Sequence, residues 1–317
     1  MHSFVTGGAG FIGSHLVDQL LERGNRVVVY DNFSTGREDF LRDASQKSNF
    51  KLIRGDLLNQ DALALAMAGS EFVFHLAAHA DVHFGTKHPQ RDLEQNTIAT
   101  FQLLEAMRVN RITKIAFSST AAVYGEAEVI PTPESAFFPV QTSLYGASKL
   151  ACEGLIEAYC EGFGFQGWIF RFVSILGERY THGHVFDFYK KLLKDPEELP
   201  VLGDGHQKKS YLYVRDCIDA MLLAIEKATD KVNIFNLGTN ETMKVNDSIS
   251  WIAERLGLSP RLRYTGGERG WVGDNPVIFL DCSRIQNLGW RPRLSIKEGV
   301  IRTLDYLRQN PHLLERS

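Results

Sequence analysis

Ser3-Phe4-Val5-Thr6-Gly7-Gly8-Ala9-Gly10-Phe11-Ile12-Gly13-Ser14-His15-Leu16 is the stretch on which the fold turns. Ser3 to Val5 reads as a short buried strand and Phe11 to Arg23 as an amphipathic helix, with glycines between them. Gly8, Gly10 and Gly13 have Gly-x-Gly-x-x-Gly spacing, and Gly7 adds a second glycine frame. One such glycine permits a tight turn, another lets backbone approach a pyrophosphate, and the last lets helix and strand pack closely. The N-terminus of the helix offers unpaired N–H groups to phosphate charge. A glycine pattern alone is weak evidence; a strand before it and a helix after it supply the context the motif needs.

Eighteen residues beyond Gly13, the next strand (Arg26 to Tyr30) ends at Asp31. A carboxylate there accepts hydrogen bonds from ribose hydroxyls and repels a 2′-phosphate, which favours NAD over NADP. Arg37 is the neighbouring residue suited to a 2′-phosphate. Asp56, after the third strand, is read either as a contact to the adenine amino group or as a turn aspartate.

Outward from this unit the pattern alternates. Phe50 to Ile53, Phe72 to Leu76 and Ile115 to Ser118 carry the strand signal, with helices expected near Asp61–Met67 and Asp92–Arg108. A helix from Ser143 to Glu161 and a strand from Gln166 to Phe172 continue it. Apolar strands alternating with helices imply an α/β fold, a Rossmann-type doubly wound parallel sheet. Past Ser174 the rhythm breaks into Gly-, His- and Pro-rich loops, although Asn233 to Leu237 is a strand suited to rejoining the sheet. The expected organisation is a cofactor domain over residues 1–173, with a returning segment near 211–238. A smaller C-terminal α/β substrate domain then covers 174–317.

The 317 residues are 44% hydrophobic and 23% charged, with a formal net charge of −3. Without a basic stripe there is no footprint for nucleic acid, and no apolar run reaches the ~20 residues that span a bilayer. Cys152, Cys160, Cys217 and Cys282 lack Cys-x-x-Cys spacing. Reduced thiols and a cytoplasmic location are the natural expectation. His75, His79 and His83 recur every four residues without a supporting carboxylate or thiol cluster, so no metal site is expected.

Tyr145-Gly146-Ala147-Ser148-Lys149 sets a phenol and an ammonium on one face of a helix, where the cation favours phenolate. Upstream, Phe117-Ser118-Ser119-Thr120-Ala121-Ala122-Val123-Tyr124-Gly125 ends a strand in three hydroxyls. Strand C-termini are where doubly wound sheets bind ligands.

The Thr-Gly-Gly-x-Gly-Phe-Ile-Gly start, Ser-Ser-Thr-x-x-Val-Tyr-Gly and Tyr-x-x-x-Lys together resemble the extended short-chain dehydrogenase/reductases. Within them the chain is similar to the nucleotide-sugar epimerase/dehydratase group. His75-Leu76-Ala77-Ala78, Asn96 and Leu288-Gly289-Trp290-Arg291-Pro292 extend the likeness over nearly the whole chain. The resemblance implies NAD held by Gly7, Gly10, Phe11, Ile12, Gly13, Asp31, Asn32, Asp56, Leu57, Leu76, Ala77, Ala78, Asn96, Ser118, Tyr145 and Lys149. It makes Tyr145 the base on a sugar hydroxyl, with Lys149 tuning it and Thr120 assisting. Hydride passes from C4 to NAD and returns to the other face of the 4-keto sugar.

Dehydratases of this group carry Asp-Glu after the Thr; here Ala121 and Ala122 occupy both positions, which points to 4-epimerisation without elimination. Ser174 stands where these epimerases usually have a diphosphate-contacting Asn, and Lys209-Ser210 replaces their Arg-Asp. Lys209 and Arg269, with Arg179 in reserve, are the expected diphosphate ligands; His79 and His83 border the sugar. The expected substrate is a UDP- or GDP-sugar; the alternatives are an NDP-sugar (for example a GDP-heptose) oxidised at C4 without epimerisation, or a non-catalytic NAD-binding scaffold. The resemblance also implies a homodimer through the helices near Asp92–Arg108 and Ser143–Glu161.

Overall fold

The computed structural model describes residues 1–80, 87–138 and 140–315. Strands β1 (His2–Thr6), β2 (Arg26–Asp31), β3 (Phe50–Arg54), β4 (Phe72–His75), β5 (Lys114–Thr120), β6 (Gln166–Phe172) and β7 (Val232–Leu237) form one sheet. Their spatial order is β7-β6-β5-β4-β1-β2-β3 and every pairing is parallel. The order reverses direction between β1 and β4, the crevice where such sheets bind ligands.

Burial explains the sequence signal. β1, β2, β4 and β6 are buried almost throughout because helices cover both faces, so their side chains need not alternate. β3 is the edge strand and exposes Lys51, Leu52 and Arg54; its charges discourage pairing with another chain.

Helices α1 (Phe11–Glu22), α2 (Gln60–Met67), α3 (Ala99–Val109), α4 (Leu144–Phe163), α5 (His184–Lys194), α6 (Val214–Lys227), α7 (Val245–Leu256) and α8 (Ile296–Gln309) complete the frame. On one face of the sheet, Leu16, Val17 and Leu20 of α1 share a core with Cys217 and Met221 of α6. On the other, Leu63, Leu103, Met107 and Ile156 bring α2, α3 and α4 together. Each such fully buried side chain contributes about 1.5–3 kcal/mol. A third core joins α5, α7 and α8, through Val185, Ile252 and Leu304. It lies beyond the sheet and supports the loops that close the cleft.

The helix expected over Asp92–Arg108 differs in an informative way. One turn, Pro89–Asp92, leads into a π-helical stretch, Leu93–Ile98, before α3 begins. The extra residue per turn swings Asn96 inward, where it is buried against the segment after β4. All four cysteines are free and buried. Among the described residues, no helix is long and apolar enough to cross a membrane.

Candidate active site

The C-terminal ends of β1, β4, β5 and β6 open into a cleft of about 450 Å³. At its base the glycine turn is dictated by sterics. Gly7 has φ +70°, and a Cβ there would sit 2.6 Å from the Ala77 backbone nitrogen. A Cβ on Gly13 would sit 2.1 Å from the Gly7 carbonyl oxygen. α1 starts at Gly10 without a side-chain cap, so its first turn leaves N–H groups for an anion. Gly7, Gly10, Phe11, Ile12 and Gly13 all line the cleft.

Asp31 is buried at the end of β2, its carboxylate accepting from Ala9 N at 2.9 Å and Phe33 N at 2.8 Å. Burial raises its pKa, and the two N–H bonds work against that rise. Arg37 does not supply a 2′-phosphate ligand here. Its Nε donates to Asp39 at 2.9 Å, and its guanidinium lies near the Phe40 ring. A cradle that a Cβ would fill, an uncapped helix start and a fixed carboxylate together fit NAD.

Asn32, Leu57, Leu76, Ala77, Ala78 and Ser118 line the same cleft. Asp56 and Asn96 are placed behind it. The Asp56 carboxylate accepts from Asn32 Nδ2 at 3.0 Å and from Leu58 N at 2.9 Å, which is the turn geometry. Asn96 accepts from His79 N at 2.8 Å and donates to Ser148 Oγ at 2.9 Å, tying the segment after β4 to α4. His79 faces the same way: its Nδ1 pairs with buried Asp92 at 2.9 Å. His83 lies outside the described residues.

Thr120, Tyr145 and Lys149 meet at the cleft floor. Ser143 caps α4, accepting from Gly146 N at 3.0 Å, and so fixes the first turn that carries Tyr145. Thr120 hydrogen-bonds the Tyr145 hydroxyl, which favours phenolate. Burial is the larger effect and pushes Tyr145 up to about 12. Burial also pushes Lys149 down to about 8, while its ammonium rests 4.2 Å from the centroid of Phe117. Burial is thus the largest influence on both groups, and neither the ammonium nor the phenol is a cause of the other's shift, unlike the tuning the spacing predicts.

Beneath this floor lies a group the sequence did not disclose. Arg171 of β6 and Glu153 of α4 form a buried, bidentate ion pair at 2.7 Å, and Ser119 donates to the same carboxylate. Ser119 precedes Thr120, so this pair fixes the strand end against the helix bearing Tyr145. Removing one partner strands a buried charge, at a cost of roughly 3–5 kcal/mol.

The outer wall comes from the C-terminal half. Ser174 and Lys209 line the cleft together with Tyr180, His182, Trp271, Asp274 and Asn275. Lys209 Nζ pairs with buried Asp274 at 2.5 Å and lies over the Trp271 ring. Arg269 and Arg179 are directed elsewhere. Arg269 pairs with Glu126 and donates to the Asp274 carbonyl. Arg179 pairs with Asp18 of α1 at 2.8 Å. Trp271 and Asp274 were missed because the loop reads as generic glycine-rich sequence. An acid and an aromatic five residues or fewer from Arg269 were the available signal. Among the described residues, no cluster of His, Cys, Asp or Glu could hold a metal.

The chain is similar in sequence and fold to known proteins of one family. The model of the NAD dependent epimerase/dehydratase family matches residues 3–238. A putative UDP-glucose 4-epimerase of Methanocaldococcus jannaschii is 33% identical over 312 residues, covering 96% of this chain and 98% of that one. The crystal structure of a UDP-glucose 4-epimerase from Thermotoga maritima with UDP-glucose is 33% identical, at a TM-score of 0.89 over 98% of this chain and 100% of that one. A UDP-glucuronic acid 4-epimerase from Bacillus cereus, with UDP-glucuronic acid and NAD, is 30% identical. Its TM-score is also 0.89, over 98% of this chain and 100% of that one.

Proposed function

The chain belongs to the NAD dependent epimerase/dehydratase family, and from that premise we propose that it is a UDP-sugar 4-epimerase working through a transient 4-keto sugar. The observation that carries this reading is the floor of the cleft. Thr120, Tyr145 and Lys149 converge there, while the next two residues, Ala121 and Ala122, also on the lining, have no proton to give or take. That set serves oxidation of an alcohol and its reversal but not elimination across C5–C6, which needs a further acid and base.

NAD, when bound, would supply the hydride acceptor for C4. Tyr145 takes the proton of the C4 hydroxyl as the C4–H bond gives up its hydride, and it returns that proton when the ketone is reduced. Thr120 holds the Tyr145 oxygen and the sugar hydroxyl in line. Lys149, buried one helical turn on from Tyr145, is the group to keep positive charge near the phenolate. Lys209 takes the diphosphate in exchange for Asp274, and Ser174 faces the sugar nucleotide. UDP is carried over from the relatives.

We also place a homodimer contact on the outer face of α3 and α4, where Phe101, Val109 and Phe163 are exposed apolar side chains; sedimentation at micromolar concentration tests it.

The purified protein is to be incubated with a panel of UDP- and GDP-sugars, following products by NMR and NADH by absorbance. Interconversion of C4 epimers without net NADH is the expected result, abolished by Tyr145→Phe. Stoichiometric NADH would make it a C4 oxidase, and turnover unchanged in Tyr145→Phe would remove Tyr145 from the chemistry.

A further inference from the structure

We propose that the C-terminal segment Pro311–Leu314 is a clamp on the adenosine half of the NAD site, acting through His312, Asp39 and Arg37. The inference rests on the cofactor site and is independent of which sugar the enzyme turns over.

The loop after β2 closes the adenosine side of the cleft: Ser34 and Thr35 line it beside Asp31. This loop has little regular structure of its own, two short 3₁₀ turns at Glu38–Leu41 and Ala44–Gln46. It nevertheless passes very close to the phosphate turn. A Cβ on Gly36 would lie 2.8 Å from the Ala9 Cβ and 2.9 Å from Asp31 Oδ1. The Arg37 backbone N–H donates to the Ala9 carbonyl at 2.9 Å. Any loosening of residues 34–37 therefore reaches both the glycine turn and the carboxylate that would hold the ribose.

What stiffens the loop comes from the other end of the chain. The Asp39 carboxylate accepts from Arg37 Nε at 2.9 Å and bonds His312 Nε2 at 3.1 Å. Phe40, next to it, is 4% exposed and belongs to the buried cluster of Tyr180, Leu307, Leu313 and Leu314. His312 thus closes a line of contacts through Asp39 and Arg37 to Ala9 in the phosphate turn. Leu313 and Leu314 anchor that line in the core beneath α8. A loop ordered in advance costs less conformational entropy when a ligand binds and opens less often to release it. An enzyme that returns hydride to its own product gains from holding its cofactor between turnovers.

The test follows release of bound NADH from the full-length protein by fluorescence after adding excess NAD, beside thermal unfolding of the cofactor-free protein. His312→Ala and Asp39→Ala are expected to release NADH about three- to tenfold faster. The double variant should be no faster than Asp39→Ala alone, because both changes break one line of contacts. His312→Gln, which keeps a donor, should restore slow release, and the unfolding midpoint of the cofactor-free protein should stay that of the parent. Release unchanged in both single variants would overturn the proposal. So would strictly additive effects, or faster release matched by an equal loss of cofactor-free stability.

Discussion

On the cofactor side of the cleft, Asp31 is fastened by two backbone N–H groups, Ala9 at 2.9 Å and Phe33 at 2.8 Å. On the substrate side, Lys209 is held by another side chain, Asp274, at 2.5 Å. The first arrangement is part of the chain trace and cannot change without moving the phosphate turn. The second can exchange partners while the backbone stays put. Glycines show the same contrast in space: Gly7 and Gly13 leave no room for a Cβ, whereas Gly266 and Gly267 meet open space and are constrained only by their own φ of +80° and +85°. One half of the cleft is fixed by backbone, as the proposed cofactor side requires; the other, the proposed sugar side, is open to retuning residue by residue.

The largest way to break the comparison is on the rigid side. Gly13→Ala forces a Cβ to within 2.1 Å of the Gly7 oxygen, so the turn must distort. NAD affinity should fall on the order of ten- to a hundredfold, read by calorimetry on cofactor-free protein, whereas Gly267→Ala, strained by its own φ of +85° but pushing on no neighbour, should leave it close to the parent. Equal effects of the two would erase the distinction.

A smaller effect is expected on the adjustable side. Lys209→Ala leaves Asp274, 2% exposed in its side chain, without its cation and facing the proposed diphosphate site. The KM for the nucleotide sugar should rise about tenfold, with release of NADH unchanged. Asp274→Asn frees the ammonium and should lower KM instead. A KM that rises in both would mean the pair acts as a unit rather than as an exchangeable latch.

The least local effect spans both halves. His15 and His75 beside the cofactor turn, and His184 at the start of α5, are held neutral chiefly by burial. Their pKa values fall to about 4, about 3 and about 3. The unfolded chain takes up those protons near pH 6.5, while the folded chain refuses them until pH 4–3. Stability should therefore decline as pH falls from about 6.5 toward 4, with a shallower slope for His184→Gln in denaturant titrations. An identical slope would place His184 outside the acid response.

The same contrast decides what the sequence disclosed. β1, the glycine turn, α1 and Asp31 are contiguous, so spacing alone located them. Tyr145 and Lys149 share one helix face for the same reason. Trp271 and Asp274 reach the cleft from a loop whose partner, Lys209, lies more than sixty residues earlier, and no local period records such a contact. Lys209, Arg269 and, in reserve, Arg179 carry the charge that suits phosphate, yet Asp274, Glu126 and Asp18 pair with them and only Lys209 lines the cleft. Charge type is visible in a sequence; which opposite charge satisfies it is not. The π-helical stretch was hidden likewise, since a helix pattern does not show where one residue is inserted to turn Asn96 inward.

The central claim is that hydride leaves C4 and comes back to C4. A UDP-sugar deuterated at C4, converted by the purified enzyme and analysed by NMR, tests it most directly. The opposite C4 epimer is expected, with deuterium still at C4 and no accumulation of reduced cofactor. Deuterium found at C6, lost to solvent, or retained on released NADH would contradict it.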